Sequence, residues 1–444
     1  MRNFGDFDIL FNTIKLLICS SCFSIIFISS SFSAELPRIT PEEAGYDSAK
    51  LAKITEQANS VYEAGLIPNY VIVLAKDGKI FFTASRGNRI LGTDDPVGLD
   101  TLYPLASMSK PIASSAIFKL IEQRELTLDS ELSEFYPEFE AMFVSPNGDL
   151  DAQFEESERA ITIRDLITHT AGLEYRSTIG GTTDIAGLYE DLRLIDPCMT
   201  AAENMELLSQ IPLIAHPGEK WNYSVSIDIL GAVVEAVSGE PLGEFVRKNI
   251  FEPIGITDSA WRHSDSRIES HFATLYTPPS PGFAAIGKDG GDGVDWQLSE
   301  STRYSACPVG TQVRTFDMGG SGLVGNAVDY IIYASMIAGY GEFLDTRVLQ
   351  SESVEAQFTK HVAVAENVMG NELTDFGAGF GIRLLEVGEE DVDYYSWAGS
   401  NNTGFFIDPD GTVGVQLSSC YRCRQALIPN IEQIVDEARV DRDQ

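Results

Sequence analysis

The strand-like segments of this 444-residue chain lie near its two ends, and the long region between them reads as helical. Residues 70–76 and 79–85 are rich in β-branched and aromatic residues and flank an Asp-Gly turn, which predicts a hairpin. The two ends must come together to share one sheet. This predicts an α/β (α+β) fold, in which an antiparallel sheet is flanked by helices and joined to a mostly helical lobe. The later strands are predicted at 379–386, 394–397, 404–407 and 412–417.

This arrangement predicts a single domain of residues 35–444. Its sheet lobe takes about residues 35–105 and 305–444, and its helical lobe takes about residues 106–304. Ligand clefts are common where two lobes meet, so we expect a functional site at this seam.

The first 34 residues carry the pattern of a targeting segment. Lys15 precedes an uncharged run that is apolar and then rich in serine, and Ser31, Ser33 and Ala34 offer cleavage points. A signal peptide is predicted, with an N-terminal anchor as the alternative because the run approaches the length of a membrane span. Either segment predicts an exported protein, periplasmic or secreted.

The formal net charge of −35 restricts the partners of this chain. Nucleic acid and anionic membrane surfaces are polyanions and would be repelled, so we expect neither as a partner, beyond a possible membrane anchor at the N-terminus. The chain has no His-Glu-x-x-His, no zinc-type Cys/His spacing and no dinucleotide fingerprint, so no metal and no cofactor are predicted. Oligomeric state stays open, as does the pairing of the four cysteines after the leader, Cys198, Cys307, Cys420 and Cys423.

Ser107 and Lys110 form a Ser-x-x-Lys tetrad at the start of a helical pattern that covers residues 111–125. Residues three apart on a helix share a face, so the amine lies beside the hydroxyl. A serine hydroxyl becomes a good nucleophile only when a nearby base takes its proton. The tetrad alone also fits an N-capping serine followed by an exposed lysine.

Two further stretches add catalytic groups. Tyr223 follows a Pro-Gly turn and precedes an apolar helical run, where its phenol is a candidate base or proton relay. Trp397, Ala398, Gly399 and Ser400 lie in the strand-rich region, where Gly399 lets backbone approach a ligand closely. A buried tyrosine and a core tryptophan beside a bulge glycine are the plain structural alternatives.

Together, in this order and spacing, the three stretches resemble the serine β-lactamase and penicillin-binding protein superfamily, in particular its class C-like branch with the family VIII carboxylesterases. Residues 163–173, 251–256 and 320–324 also look like that branch. The resemblance implies a β-lactamase/transpeptidase-like fold and a catalytic domain that needs no cofactor. It also implies the following roles: Ser107 as nucleophile, Lys110 as base or activator, Tyr223 as base or proton relay, the N–H groups of Ser107 and Ser400 as oxyanion hole, and Val225, Trp397, Ala398 and Gly399 as substrate-binding residues.

Two departures from the lactamase pattern indicate the substrate class. Val225 stands where lactamases carry Asn, and Trp397 stands where they carry Lys. Both changes weaken recognition of an anionic amide and favour a neutral, partly apolar ester. Arg303, Arg314 or Arg383 could supply a displaced cation, although each also fits a solvated surface charge.

We therefore predict an exported serine hydrolase, a carboxylesterase that acts on small-molecule esters through an acyl-enzyme on Ser107. The alternatives are an amide hydrolase of the same superfamily (a D-alanyl peptidase, an amidase or a weak β-lactamase) and a non-catalytic cell-wall-binding relative. Whether Lys110 or Tyr223 takes the proton stays open. The chain has no Gly-x-Ser-x-Gly elbow, and His169 lies in a stretch that looks structural in the family.

Overall fold

The computed structural model describes residues 36–440 with internal gaps. The predicted targeting segment, Cys307, Arg303 and Arg314 lie outside the described residues, as does the side chain of Arg383. The gaps are residues 177–180, 182, 263–266, 268–269, 279–296, 299–314, 365–366, 369–370, 373–374, 388–389, 422 and 424–430.

An eight-stranded antiparallel sheet joins the two ends of the chain, as the sequence predicts. The strands are β1 Asn69–Lys76, β2 Lys79–Gly87, β3 Val362–Ala363, β4 Asp375–Phe376, β5 Gly381–Val387, β6 Glu390–Gly399, β7 Thr403–Ile407 and β8 Thr412–Leu417. Their order in the sheet is β3-β4-β5-β6-β7-β8-β1-β2. The N-terminal hairpin β1–β2 therefore pairs directly with the last strand, and Val71 lies opposite Leu417.

Most of the described helices lie in the region between β2 and β3. Short 3-10 turns and two-residue strand pairs, such as Tyr103–Pro104 with Val324–Gly325, lie in the connections. The helices are α1 Ser48–Glu63, α2 Ser109–Glu122, α3 Ile163–Ile167, α4 Asp184–Asp191, α5 Ala201–Leu208, α6 Ser226–Ser238, α7 Leu242–Val246, α8 Ala327–Ala338, α9 Ser351–Phe358 and α10 Ile431–Glu437.

Helices cover both faces of the sheet. Successive side chains of a strand point to opposite faces, so a strand that is apolar throughout needs a packing partner on each face. In β1, Val71 and Val73 belong to the main core, in which α8 packs on the sheet. Their neighbours Ile72 and Leu74 belong to a second cluster with α1 and α10. Both faces of β1 are therefore apolar, and the predicted layout of a helix-flanked sheet with a helical region is confirmed.

The apolar pattern of residues 322–337 predicts a helix, and the structure begins this helix at Ala327. Asn326 caps it, since its side chain accepts the N–H of Asp329. Residues 324–325 pair as a short strand with residues 103–104, next to the nucleophile tetrad.

The structure also joins Cys420 to Cys423 in a local disulfide. Among the described residues, no helix combines the length and the apolar character that a membrane crossing needs.

Asp329 in α8 predicts a pH dependence of stability. Burial raises the pKa of its carboxyl from 3.8 to about 7, although it accepts the N–H groups of Ser259 and Asp258. The folded state therefore binds more protons than the unfolded chain between pH 4 and 7, so the free energy of unfolding falls as pH rises through this window.

The Asp329→Asn variant cannot ionise and should lack this fall, whose upper bound is on the order of 4 kcal/mol. Urea unfolding of wild type and variant at pH 4.5, 5.5 and 7.5 measures the difference. Parallel stability curves for the two proteins would contradict the assignment.

Candidate active site

The candidate nucleophile lies in a tight turn that leads into α2. Ser107 belongs to the 3-10 turn Ala106–Met108 and is 6% exposed. The α-helix then begins at Ser109, two residues earlier than predicted, because Pro111 fits within a first turn whose N–H groups need no helical acceptor. Ala106 has a φ of 49°, a left-handed conformation that is uncommon for alanine and that shapes the turn before Ser107.

Ser109 and two distant parts of the chain hold this turn in place. Tyr330 of α8 donates to the Met108 carbonyl at 3.0 Å. The Ser109 hydroxyl donates to the Ala106 carbonyl at 2.7 Å and accepts the N–H of Leu323 at 3.0 Å. The Tyr330 side chain and the Leu323 backbone, each more than 200 residues away in sequence, thus help to fix the turn.

Lys110 projects from the first turn of α2 and is fully buried. Its Nζ donates to Ser107 Oγ at 3.3 Å and to the Gly320 carbonyl at 2.7 Å. The same atom lies 4.8 Å from the ring centroid of Tyr223 and 5.6 Å from that of Tyr175, positions in which an aromatic face attracts a cation. The structure therefore brings together the hydroxyl, the amine and the tyrosine that the sequence predicted.

Tyr223 lies in the loop before α6. Its neighbour Asn222 fixes this loop, because the Asn222 N–H donates to the His169 carbonyl at 2.8 Å and its side-chain amide donates to the Leu173 carbonyl at 2.6 Å. The Tyr223 hydroxyl oxygen is buried and has no hydrogen-bond partner among the residues that the structure describes. The Tyr223 hydroxyl is therefore free of hydrogen bonds to the described residues and can accept or donate a proton.

Aromatic rings surround Tyr223 on several sides. Its ring centroid lies 4.8 Å from His169, 5.3 Å from Tyr175 and 5.4 Å from Trp397. Phe376 of β4 packs edge-on against Trp397 at 5.4 Å. This cluster forms a largely apolar surround for the reacting groups, and Tyr175 and Phe376 carried no motif that marked them in the sequence.

His169 is part of this surround in its neutral form. Burial, with a smaller contribution from the Lys110 charge, lowers the pKa of the imidazole well below 6.5. The Ser224 N–H donates to its Nδ1 at 3.3 Å, so the remaining ring proton is on Nε2. A neutral imidazole beside Lys110 adds no second positive charge to the site.

The turn between β6 and β7 brings the third motif against the nucleophile turn. Thr403 Oγ1 donates to the Leu105 carbonyl at 3.0 Å, and the Asn401 side chain donates to the Pro104 carbonyl at 2.8 Å. Neither the Ser107 N–H nor the Ser400 N–H makes a backbone hydrogen bond to another described residue. Both predicted oxyanion donors therefore remain available to a ligand.

Gly399 has no room for a side chain, and this predicts a strong effect of Gly399→Ala. An added Cβ would lie 2.4 Å from the Leu105 carbonyl oxygen and 2.3 Å from Thr403 Oγ1. We expect the strand to move away from the nucleophile turn and kcat to fall at least tenfold, measured by hydrolysis of p-nitrophenyl butyrate. Gly187→Ala in α4 is the matched control, because its Cβ would meet nothing within 4 Å. Equal activity of the two variants would contradict the prediction.

The predicted substrate-binding residues differ in their exposure. Val225 is 3% exposed, immediately precedes α6 and packs in the main core. Trp397 is 2% exposed, and Ala398 is half-buried beside it. Trp397 contacts the Tyr223 ring directly, whereas the position of Val225 within the core gives it at most a shaping effect on the site.

Asp228 is a charged residue of this region that the sequence reasoning missed. It is buried in the first turn of α6, and its Oδ1 accepts the Gly320 N–H at 2.8 Å. An aspartate at the start of the mainly apolar run of residues 227–237, whose other charged residue is Glu235, was the available signal, since a charge is rarely buried without a partner. In the part of the chain that the structure describes, no group of His, Cys, Asp and Glu could hold a metal ion.

Comparison with known proteins relates this chain to one family and to two relatives that are named as esterases. Residues 53–419 match the sequence profile of the family described as Beta-lactamase. The chain is 29% identical to esterase EstB of Burkholderia gladioli over 303 residues, covering 66% of this chain and 71% of EstB. It is also 29% identical to the lovastatin esterase of Penicillium rubens over 365 residues, covering 77% and 86% of the two chains.

A solved structure shows the same fold. It is that of EstCE1, described as a hydrolase with promiscuous acyltransferase activity, with a TM-score of 0.67 and 24% sequence identity. The similarity covers 86% of this chain and 98% of the EstCE1 chain.

Proposed function

The chain belongs to the beta-lactamase family and is a serine hydrolase, and we propose that it cleaves neutral carboxylic esters through an acyl-enzyme on Ser107. The observation that carries this proposal is the contact between Lys110 Nζ and Ser107 Oγ, buried beneath the Tyr223 ring. Two relatives with the word esterase in their names, each 29% identical, support the ester class.

Lys110 acts in this proposal as the ammonium that activates and orients Ser107. Its surroundings favour a cation, since it donates to a carbonyl and lies over two aromatic rings. Tyr223, with its unpaired hydroxyl, then exchanges the proton with Ser107 Oγ.

The reaction proceeds in two steps. Ser107 Oγ attacks the ester carbonyl, its proton passes through Tyr223 to the departing alcohol, and the acyl group stays on the serine. A water molecule then attacks the acyl carbonyl, its proton passes through Tyr223 to Ser107 Oγ as the acyl bond to the serine breaks, and the acid is released with the serine hydroxyl restored. In both steps the N–H groups of Ser107 and Ser400 stabilise the oxyanion.

The proposed preference for neutral esters over charged amides depends on the polarity of the side chains that line the site. Trp397 occupies the position of the lactamase lysine and packs with Phe376 and Tyr223, so this wall is aromatic. Val225 offers no side-chain amide to a substrate. The net charge of −35 also opposes the approach of anionic substrates.

Hydrolysis of p-nitrophenyl butyrate and of nitrocefin tests this proposal. We expect kcat/KM for the ester to exceed that for nitrocefin by about 100-fold or more, which corresponds to roughly 3 kcal/mol of transition-state discrimination. Rapid nitrocefin turnover with negligible ester cleavage would establish the amide-hydrolase alternative. Absence of any adduct after fluorophosphonate treatment, measured by intact mass, would favour a non-catalytic binding protein.

We also propose that the enzyme is exported. The support is the apolar, serine-rich run that precedes residue 35. Cell fractionation followed by N-terminal sequencing tests it, with the mature chain expected to begin between residues 32 and 35. Full-length protein found only in the cytosol would contradict export.

A further inference from the structure

We propose that Asp228 is a positioning residue that holds the Lys110 ammonium against Ser107 by fixing the backbone of Gly320. The inference deepens the proposed function in one respect, since it takes Ser107 as the nucleophile. It does not depend on which acyl compound is the substrate.

The connection consists of two hydrogen bonds to the backbone of Gly320 and one to Ser107. Asp228 Oδ1 accepts the Gly320 N–H at 2.8 Å, the Gly320 carbonyl accepts Lys110 Nζ at 2.7 Å, and Lys110 Nζ donates to Ser107 Oγ at 3.3 Å. The N–H and the carbonyl of Gly320 belong to successive peptide groups that share its Cα, so a charge-assisted hydrogen bond that anchors the N–H also fixes the position of the carbonyl. A carboxylate on α6 thereby orients an ammonium on α2.

Charge balance gives the carboxylate a second effect. Lys110 and Asp228 are both almost completely buried, and a buried charge is costly unless an opposite charge compensates it. Burial raises the pKa of Asp228, while the positive charge of Lys110, the Gly320 N–H and Arg176 oppose that rise. In the described part of the chain, Lys110 also faces the titratable groups of Tyr175, Tyr223 and the neutral His169.

Two glycines make the close approach possible. A Cβ on Gly320 would lie 2.4 Å from Asp228 Oδ2, and a Cβ on Gly319 would lie 2.3 Å from the Ile227 carbonyl oxygen. The segment therefore lies directly against the first turn of α6, and its Gly-Gly pair explains why the carbonyl of Gly320 reaches Lys110.

The Asp228→Asn variant tests the role of the charge, because asparagine keeps a carbonyl acceptor for the Gly320 N–H, while it loses the negative charge and replaces the second oxygen by an NH2 group. The readout is the rate of fluorophosphonate labelling at Ser107 from pH 5 to 10, followed by intact mass. We expect labelling to slow by about tenfold or more. We also expect its alkaline limb to move to lower pH, because the variant removes a negative charge that favours the protonated form of groups near Ser107.

Asp329→Asn is the matched control. Asp329 is likewise buried in the first turn of a helix and accepts backbone N–H groups, but those belong to Asp258 and Ser259. Its labelling profile should follow that of wild type. If Asp228→Asn lowers the labelling rate by the same factor at every pH, without moving the alkaline limb, Asp228 has only a structural role and the proposal is overturned. An unchanged rate and profile would also overturn it.

A double-mutant cycle with Lys110→Met covers the case in which Asp228→Asn fails to fold. If Asp228 balances the lysine charge, its neutralisation should destabilise the protein less when Met stands at 110. Failure of both the single and the double variant to fold would contradict charge pairing. The cycle uses thermal unfolding, so it decides the proposal even if the wild type shows neither labelling nor ester turnover, which are the results that would refute the proposed function.

Discussion

Ser107→Ala is expected to lower kcat for p-nitrophenyl butyrate by roughly 10⁴-fold or more and to abolish the fluorophosphonate adduct. The reason is that no acyl-enzyme can form once the hydroxyl held at 3.3 Å from Lys110 Nζ is removed. The turn itself should survive, because its anchors are the Ser109 hydroxyl and the Tyr330 hydroxyl. Steady-state kinetics and intact mass measure the effect, and thermal unfolding checks that the protein is folded.

Ser114→Ala is the matched control for this experiment. Ser114 lies farther along α2 and is fully buried, and its hydroxyl has no hydrogen-bond partner among the described residues. Its removal should leave both kinetics and labelling at wild-type values. If Ser107→Ala retains turnover within tenfold of wild type, another nucleophile performs the reaction and the assignment of Ser107 is wrong.

Tyr223→Phe is expected to lower kcat by about 10² to 10⁴-fold, the range typical of a lost acid–base group. Its stability should stay equal to or rise above that of wild type. The ring contacts with His169, Tyr175 and Trp397 are kept in phenylalanine, and the hydroxyl that is removed is buried without a partner in the described part of the chain. Loss of activity with no loss of stability would separate a chemical role from a packing role.

The measurement pairs steady-state kinetics with urea unfolding of the same preparation. A Tyr223→Phe variant with nearly normal kcat would contradict the role of Tyr223 as the base. Lys110 would then be the remaining base within reach of Ser107 Oγ. Retained activity in Tyr223→Phe together with complete loss in Lys110→Met would establish that alternative.

Most of the sheet could be predicted from local patterns. The hairpin around Asp77-Gly78 and the strand at residues 412–417 lie within one or two residues of their predicted limits. The start of α8 was predicted five residues too early because the apolar pattern continues through residues 323–325. The helix begins later because Asn326 caps it and because residues 324–325 pair as a strand with residues 103–104. The strand pairing depends on a partner that is far away in sequence.

The amino-acid order was sufficient to place Ser107 beside Lys110, because a spacing of three along one helical turn has nearly the same geometry in every protein. It was also sufficient to indicate that Tyr223 and Gly399 come near that pair, through their resemblance to a family. The pairing of Asp228 with Gly320, and the packing of Tyr175 against Tyr223 and of Phe376 against Trp397, required the folded chain. These contacts join segments from different helices, loops and strands, and no local periodicity records which distant residue will face a given side chain once the core has packed.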